Sequence, residues 1–176
     1  MLLIGTYTRN TASEGVYLLN DQYEQVAVFA GIDNPSFLVK HPHLNRFFVV
    51  NEIHDFGSSP HGSVSCYELT DGGEFRLLQK LDAMGGDPCH LCVDRAGQYL
   101  VVSNYRSGNF TVFPLDEDGQ LQAFSSLVAH HGSSVDPMRQ QGPHVHSVTQ
   151  GPGSDLYVAD LGTDQLIRYQ IGRAHV

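Results

Sequence analysis

The chain has 176 residues, enough for one domain with a real core and too few for several large ones. Ten Lys and Arg face nineteen Asp and Glu, a formal net charge of −9, and the only lysines are Lys40 and Lys80, so no basic stripe exists to follow a nucleic acid. With 41% hydrophobic and 16% charged residues the chain is globular rather than disordered, and eighteen glycines and eight prolines predict many turns between short elements.

The first residues, Met1-Leu-Leu-Ile, carry no basic segment, and no run approaches the roughly 20 apolar residues of a spanning helix, so no export signal and no membrane contact are expected. Three cysteines, Cys66, Cys89 and Cys92, are an odd number and too few for a disulfide framework. The expected location is the cytoplasm.

Helical spacing of apolar residues is almost absent. Short β-rich runs bounded by Gly, Asn and Asp predict strands instead. In chain order they cover 3–7 and 15–18; then 37–39, 47–52, 63–67 and 75–78; then 91–93, 99–105, 109–113 and 121–127; and finally 145–148, 156–160 and 165–169. The last three groups are paced by Pro35, Pro88 and Pro143, which stand 53 and 55 residues apart. Counted from each proline, the second strand ends at Glu52, Tyr105 and Asp160, and the N-terminal run places Tyr7 at the same position.

Four short antiparallel strands per unit of about 45–50 residues are the signature of β-propeller blades. The fold expected is therefore all-β: a partial β-propeller of about three and a half four-stranded blades in one domain, residues 1–176, with 173–176 as an off-pattern tail. The pattern starts at a second strand and stops after a third. That predicts the N-terminal half of a longer ring, or self-association of two copies if the chain is complete.

In a propeller, the loop into the innermost strand and the loop after the second strand open on one face around the channel. These loops carry Asp33-Asn-Pro-Ser36, Gly86-Asp-Pro-Cys-His90 and Gly142-Pro-His-Val-His146, with Asn51-Glu52, Asn104-Tyr-Arg106 and Asp160-Leu161. His144 and His146, two apart on a strand, share a face and aim together into the channel. An imidazole serves as base or acid near neutral pH, which makes His146 and His90 the candidate catalytic bases. Glu52 and Asp160, at matching positions, are candidate carboxylates converging near the axis. Arg106 and Arg139 are the candidate anion clamps, since guanidinium pairs bidentately with phosphate or carboxylate. His144, Asn104 and Tyr105 complete the candidate binding set. Cys89-His-Leu-Cys92 is not read as a redox pair, because residues three apart on a strand face opposite ways. Asn109-Phe-Thr111 is a glycosylation sequon inside a strand and is set aside. No metal ligand set with family spacing is present, and no metal or cofactor is expected.

The stretch from Gly86 to Val112, Arg139-Gln-Gln-Gly-Pro-His-Val-His-Ser147, Tyr157-Val-Ala-Asp-Leu-Gly162 and Ile4-Gly-Thr-Tyr-Thr8 together resemble the seven-bladed propeller lactonase family. That family includes bacterial 6-phosphogluconolactonase and fungal carboxymuconate cyclase. The resemblance runs from residue 3 to about 171 and implies a seven-bladed ring of which this chain holds the first half, with a metal-free site at the channel mouth. It also implies hydrolysis of 6-phosphoglucono-1,5-lactone, a phosphorylated sugar lactone of the pentose phosphate pathway. His146 or His90 would then be the base, Glu52 or Asp160 would orient it, and Arg139 or Arg106 would hold the phosphate or the oxyanion. A cyclase or another lactonase of the family, and a non-enzymatic propeller acting as a binding platform, are the competing readings.

Overall fold

Residues 1–170 are described by a computed structural model; the tail at 173–176 lies outside the described residues. Four antiparallel sheets follow one another along the chain. The first holds β1 (Leu2–Ile4), β2 (Gly15–Leu19) and β3 (Gln25–Ala30), and the second β4 (Leu38–Lys40), β5 (Phe47–Asn51), β6 (Ser63–Leu69) and β7 (Phe75–Asp82). The third contains β8 (Pro88–Val93), β9 (Tyr99–Asn104), β10 (Asn109–Pro114) and β11 (Ser126–Ala129), and the fourth β12 (Val145–Gln150), β13 (Asp155–Asp160) and β14 (Gln165–Gln170). Within each sheet the strands lie in chain order, the meander of a propeller blade.

The apolar runs at the second strands are explained by what covers them. In β5, Phe47 and Val49 point into the core shared with the first sheet, beside Val16 and Ile32. Phe48 and Val50 point the other way, into the core shared with the third sheet, beside Leu91, Leu100 and Val102. In β9 the alternation repeats, with Val101 turned toward Val145, Val148 and Val158 of the fourth sheet. Strands buried on both faces lose the apolar–polar alternation and read as continuous hydrophobic runs. The three cores thus lie between neighbouring sheets rather than inside any one of them.

The structure departs from the expected strands in several places. It adds β3 over Gln25–Ala30, which the sequence pattern does not mark, carries β7 on to Asp82 and starts β8 at Pro88. The strand expected over 121–127 begins only at Ser126, because Leu121 pairs with Leu115 in an isolated bridge and is buried in the core between the second and third sheets. The strand expected over 3–7 stops at Ile4, since Gly5 passes so close to Pro35 that a Cβ there would lie 2.0 Å from its carbonyl oxygen. The repeat ruler differs as well. In the third sheet Pro88 pairs with Asn104 and Cys89 is bulged out, so that His90 pairs with Ser103. In the fourth, Val145 pairs with Asp160, His146 is bulged out, and Ser147 pairs with Ala159. Val145, not Pro143, is therefore the counterpart of Pro88, and the counterpart of Asp160 is Asn104 rather than Tyr105.

Candidate active site

The bulges decide which side chains reach one shared pocket. A bulge inserts one residue that breaks the alternation and re-aims its side chain. Cys89 and His146 are the bulged residues of β8 and β12, and Ser36 takes the same place ahead of β4. There, Val50 N–H bonds to Phe37 O and Glu52 N–H bonds to Asn34 O, leaving Ser36 between the two. The second repeating position is the residue just after each second strand, occupied by Glu52 and Tyr105, with Tyr7 in register. These six side chains and Arg139, from the long connection between β11 and β12, line one pocket of about 320 Å³. That volume suits a small metabolite.

Glu52 accepts hydrogen bonds at both carboxylate oxygens, from the Tyr7 hydroxyl at 2.8 Å and from the Ser36 hydroxyl. Burial, reinforced by the Glu52 hydrogen bond and charge, pushes the Tyr7 hydroxyl up to about 12. Burial and the same carboxylate push the Cys89 thiol up to about 12. Both stay protonated at neutral pH, and the Cys89 thiol donates to His146 O at 3.3 Å. Cys89 is thus a neutral wall of the pocket and not a thiolate nucleophile.

Tyr105 organises the opposite side. His144 stacks on its ring with centroids 4.4 Å apart, and His146 meets the ring edge-on at 5.8 Å. The Tyr105 hydroxyl accepts a long hydrogen bond from Arg139 Nη2 at 3.5 Å. His144 Nδ1 lies 3.0 Å from Tyr105 O, which can only accept, so the proton is on Nδ1 and the ring is tied to the backbone. His146 makes no side-chain hydrogen bond among the described residues and is exposed at the pocket, free to act on a ligand or water.

Four of the sequence candidates therefore meet in one place: His146, Glu52, Tyr105 and Arg139. The others do not line it. His90 sits at the next position along β8, stacked on Phe37 at 4.3 Å, and its Nδ1 accepts from Val148 N–H at 3.4 Å. Burial, with the nearby His146 ring, holds its pKa below the ordinary histidine value, which keeps it neutral. Asp160 is interior: Oδ1 accepts from the N–H groups of His144, Gly162 and Thr163, and Oδ2 faces His130 Nδ1 at 2.7 Å. Gly162 is required there, since a Cβ would lie 1.8 Å from Gly142 O. Asn104 is buried, with its amide bonded to Ala83 O, Asn109 and Thr111. Arg106 is exposed and lies against Gly86, outside the pocket. His144 buttresses Tyr105 from behind. Neither Glu52 nor Asp160 holds His146 or His90, so the expected carboxylate-to-base contact is replaced by hydroxyl contacts at Glu52 and by the His130 pair at Asp160.

The sequence reading missed Tyr7, Ser36 and Cys89 as lining residues. Tyr7 shares the repeat position of Glu52 and Tyr105, and that alone would have found it. Ser36 and Cys89 come into register with His146 only when Val145 rather than Pro143 is matched to Pro88. Among the described residues, no group of three or more His, Cys, Asp or Glu is placed to hold a metal ion. Likewise no described helix is long and apolar enough to cross a membrane.

Consecutive antiparallel meander sheets packed face to face, with a small polar pocket where their innermost strands begin, define part of a β-propeller. Residues 1–175 match the family model described as Lactonase, 7-bladed beta-propeller, and the chain belongs to that family. It is 32% identical over 175 residues to a 6-phosphogluconolactonase of Bacillus subtilis, covering 96% of this chain and 48% of the relative. Among solved structures it is similar to a periplasmic gluconolactonase of Pseudomonas aeruginosa, with a TM-score of 0.83, 29% identity, and 96% of this chain and 49% of that one covered. It is also similar to a protein from Lactobacillus plantarum, with a TM-score of 0.82, 28% identity and coverage of 97% and 48%. The chain spans about half the length of the relatives it matches.

Proposed function

We propose that this chain carries part of the site of a lactonase that hydrolyses a sugar lactone, 6-phosphoglucono-1,5-lactone in the first instance. The observation that carries the reading is the meeting of an unbonded His146 and a cationic Arg139 over one small pocket, with Tyr105 touching both. The names of the relatives support the same chemistry. A δ-lactone is an activated ester, so a positioned base and a charge for the bound anion go far.

His146 takes a proton from water as the oxygen attacks the lactone carbonyl carbon. The tetrahedral intermediate collapses with cleavage of the bond from that carbon to the ring oxygen. The imidazolium then returns the proton to the ring oxygen, leaving the free acid chain with its hydroxyl restored. Arg139 meets the phosphate, the one strongly anionic part of this ligand. In an acidic chain of net charge −9 such a local cation is needed, since the long-range field opposes an anionic ligand.

The test is His146→Ala in the intact protein, with lactone opening followed by alkali uptake and corrected for spontaneous hydrolysis. General-base loss predicts a fall in kcat of about 10²–10⁴-fold. An unchanged kcat removes His146 from the role.

A further inference from the structure

Arg139 explains how the pocket meets a phosphate, but it leaves the other wall without a purpose. That wall is Glu52, held between the hydroxyls of Tyr7 and Ser36. A carboxylate so placed would ordinarily be neutralised by a cation, yet among the described residues no basic group pairs with it. The arginine that reaches this face from the first sheet, Arg9, is bound to Asp33 and Asp55 instead. The chemistry around Glu52 is therefore that of an uncompensated negative charge ringed by neutral hydroxyls.

We infer that Glu52, with Tyr7 and Ser36, is the specificity wall of the pocket: it accepts hydrogen bonds from the hydroxyls of the polyol part of the ligand and excludes ligands that bring a second anion to that end. This deepens the lactonase reading and rests on it for the identity of the ligand. A carboxylate accepts up to about four hydrogen bonds, and only two are used here, so vicinal hydroxyls can add to or displace those of Tyr7 and Ser36. Such charge-assisted bonds are among the stronger neutral–ion contacts. A carboxylate brought to the same wall would face Glu52 with no intervening cation, and like charges at close range reject a wrong partner effectively. The direction of the neighbouring titrations agrees, since the Glu52 charge helps to hold both Tyr7 and Cys89 protonated. The pocket is thus polarised, cationic at Arg139 and anionic at Glu52. It matches a ligand with its charge at one end and hydroxyls at the other, and it opposes an α,ω-dicarboxylate.

Two probes of equal charge separate these cases: glucitol 6-phosphate, whose charge is at one end, and glutarate, charged at both. Binding of each to the intact protein is measured by calorimetry at fixed ionic strength, with wild type, Glu52→Gln and Glu52→Asp. Wild type is expected to bind the polyol phosphate at least tenfold more tightly. Glu52→Gln should narrow that gap tenfold or more, by weakening the polyol phosphate and admitting glutarate. Glu52→Asp keeps the charge on a shorter arm, so it should weaken the polyol phosphate while still rejecting glutarate. It carries the test alone if Glu52→Gln fails to fold. An unchanged gap in Glu52→Gln, or admission of glutarate by Glu52→Asp, overturns the assignment even if lactone hydrolysis is intact. If the gap behaves as expected but wild type opens no lactone, the lactonase reading falls and the specificity wall stands.

Discussion

Glu52 and Asp160 were candidates for the same role, and their different fates turn on one residue of register. Glu52 follows the end of β5 and faces the pocket, whereas Asp160 ends β13 and faces inward, as Asn104 does in β9. A one-residue slip in a strand exchanges its faces, and Pro143 is not the counterpart of Pro88, so a count from it sets Asp160 in register with Glu52 rather than with Asn51 and Asn104. His146, Glu52, Tyr105 and Arg139 were legible because side-chain chemistry and loop position agreed for each of them. Asp160 binds three backbone N–H groups and pairs with His130, whose Nε2 lies 3.0 Å from the Tyr169 hydroxyl. Burial works to raise its pKa, but the His144 and Thr163 N–H groups and His130 outweigh it and hold the carboxyl below its ordinary value. Below the unfolded value of about 3.9 the unfolded chain takes up a proton that the folded one resists, so stability falls with pH there. Above that value the contribution is fully present. Asp160→Asn, which leaves His130 without its buried partner, is expected to cost about 3 kcal/mol at pH 7. Urea midpoints of the two proteins should keep their gap above about pH 4 and converge as the pH falls below it; a gap constant through that range would show that the Asp160 charge is not what the fold uses.

At the scale of the element, β5 and β9 are the most deeply buried strands and the most legible. Phe47 to Val50 reads as a strand covered on both sides because four consecutive apolar residues divide alternately between two cores. The bulges were not legible, since nothing in Pro88-Cys89-His90 or Val145-His146-Ser147 distinguishes a bulged residue from an alternating one. Only the pairing partners across the sheet reveal them. Their effect is on the pocket, because without the bulge Cys89 and His146 would lie on the alternating pattern of their strands instead of beside Glu52 and Tyr105. Phe48 is fully buried where β5 meets the third sheet, against Leu91, Leu100 and Phe113. Phe48→Ala removes a large side chain from a core that two sheets share, and should lower the unfolding free energy by about 3–5 kcal/mol. Chemical denaturation measures this; a loss under 1 kcal/mol would mean that the sheets are not held together by that core.

For the whole molecule, the blade repeat was legible from the spacing of turns and paired runs, while the pocket depends on how successive sheets share their faces. The three cores join the first sheet to the second, the second to the third and the third to the fourth. Among the described residues no such core joins the fourth sheet to the first. The two end sheets consequently leave apolar side chains in water: Val26 on the first is 55% exposed and Leu166 on the fourth 69%. A hollow of about 480 Å³ on the fourth sheet, lined by Leu166, Ala159 and His146 among others, marks the same uncovered ground. In the second and third sheets the equivalent strand positions, Val64 and Phe110, are buried. Apolar faces of that kind drive association when no partner covers them. The 176-residue chain by itself is therefore expected to have a weight-average mass well above 19.4 kDa in light scattering at micromolar concentration. Leu166→Lys, which places a charge on one of the two faces, should shift the mass toward the monomer without unfolding the chain. A monomeric wild-type chain with native-like unfolding would show that these faces tolerate water, and that the cores between sheets suffice to hold the arc.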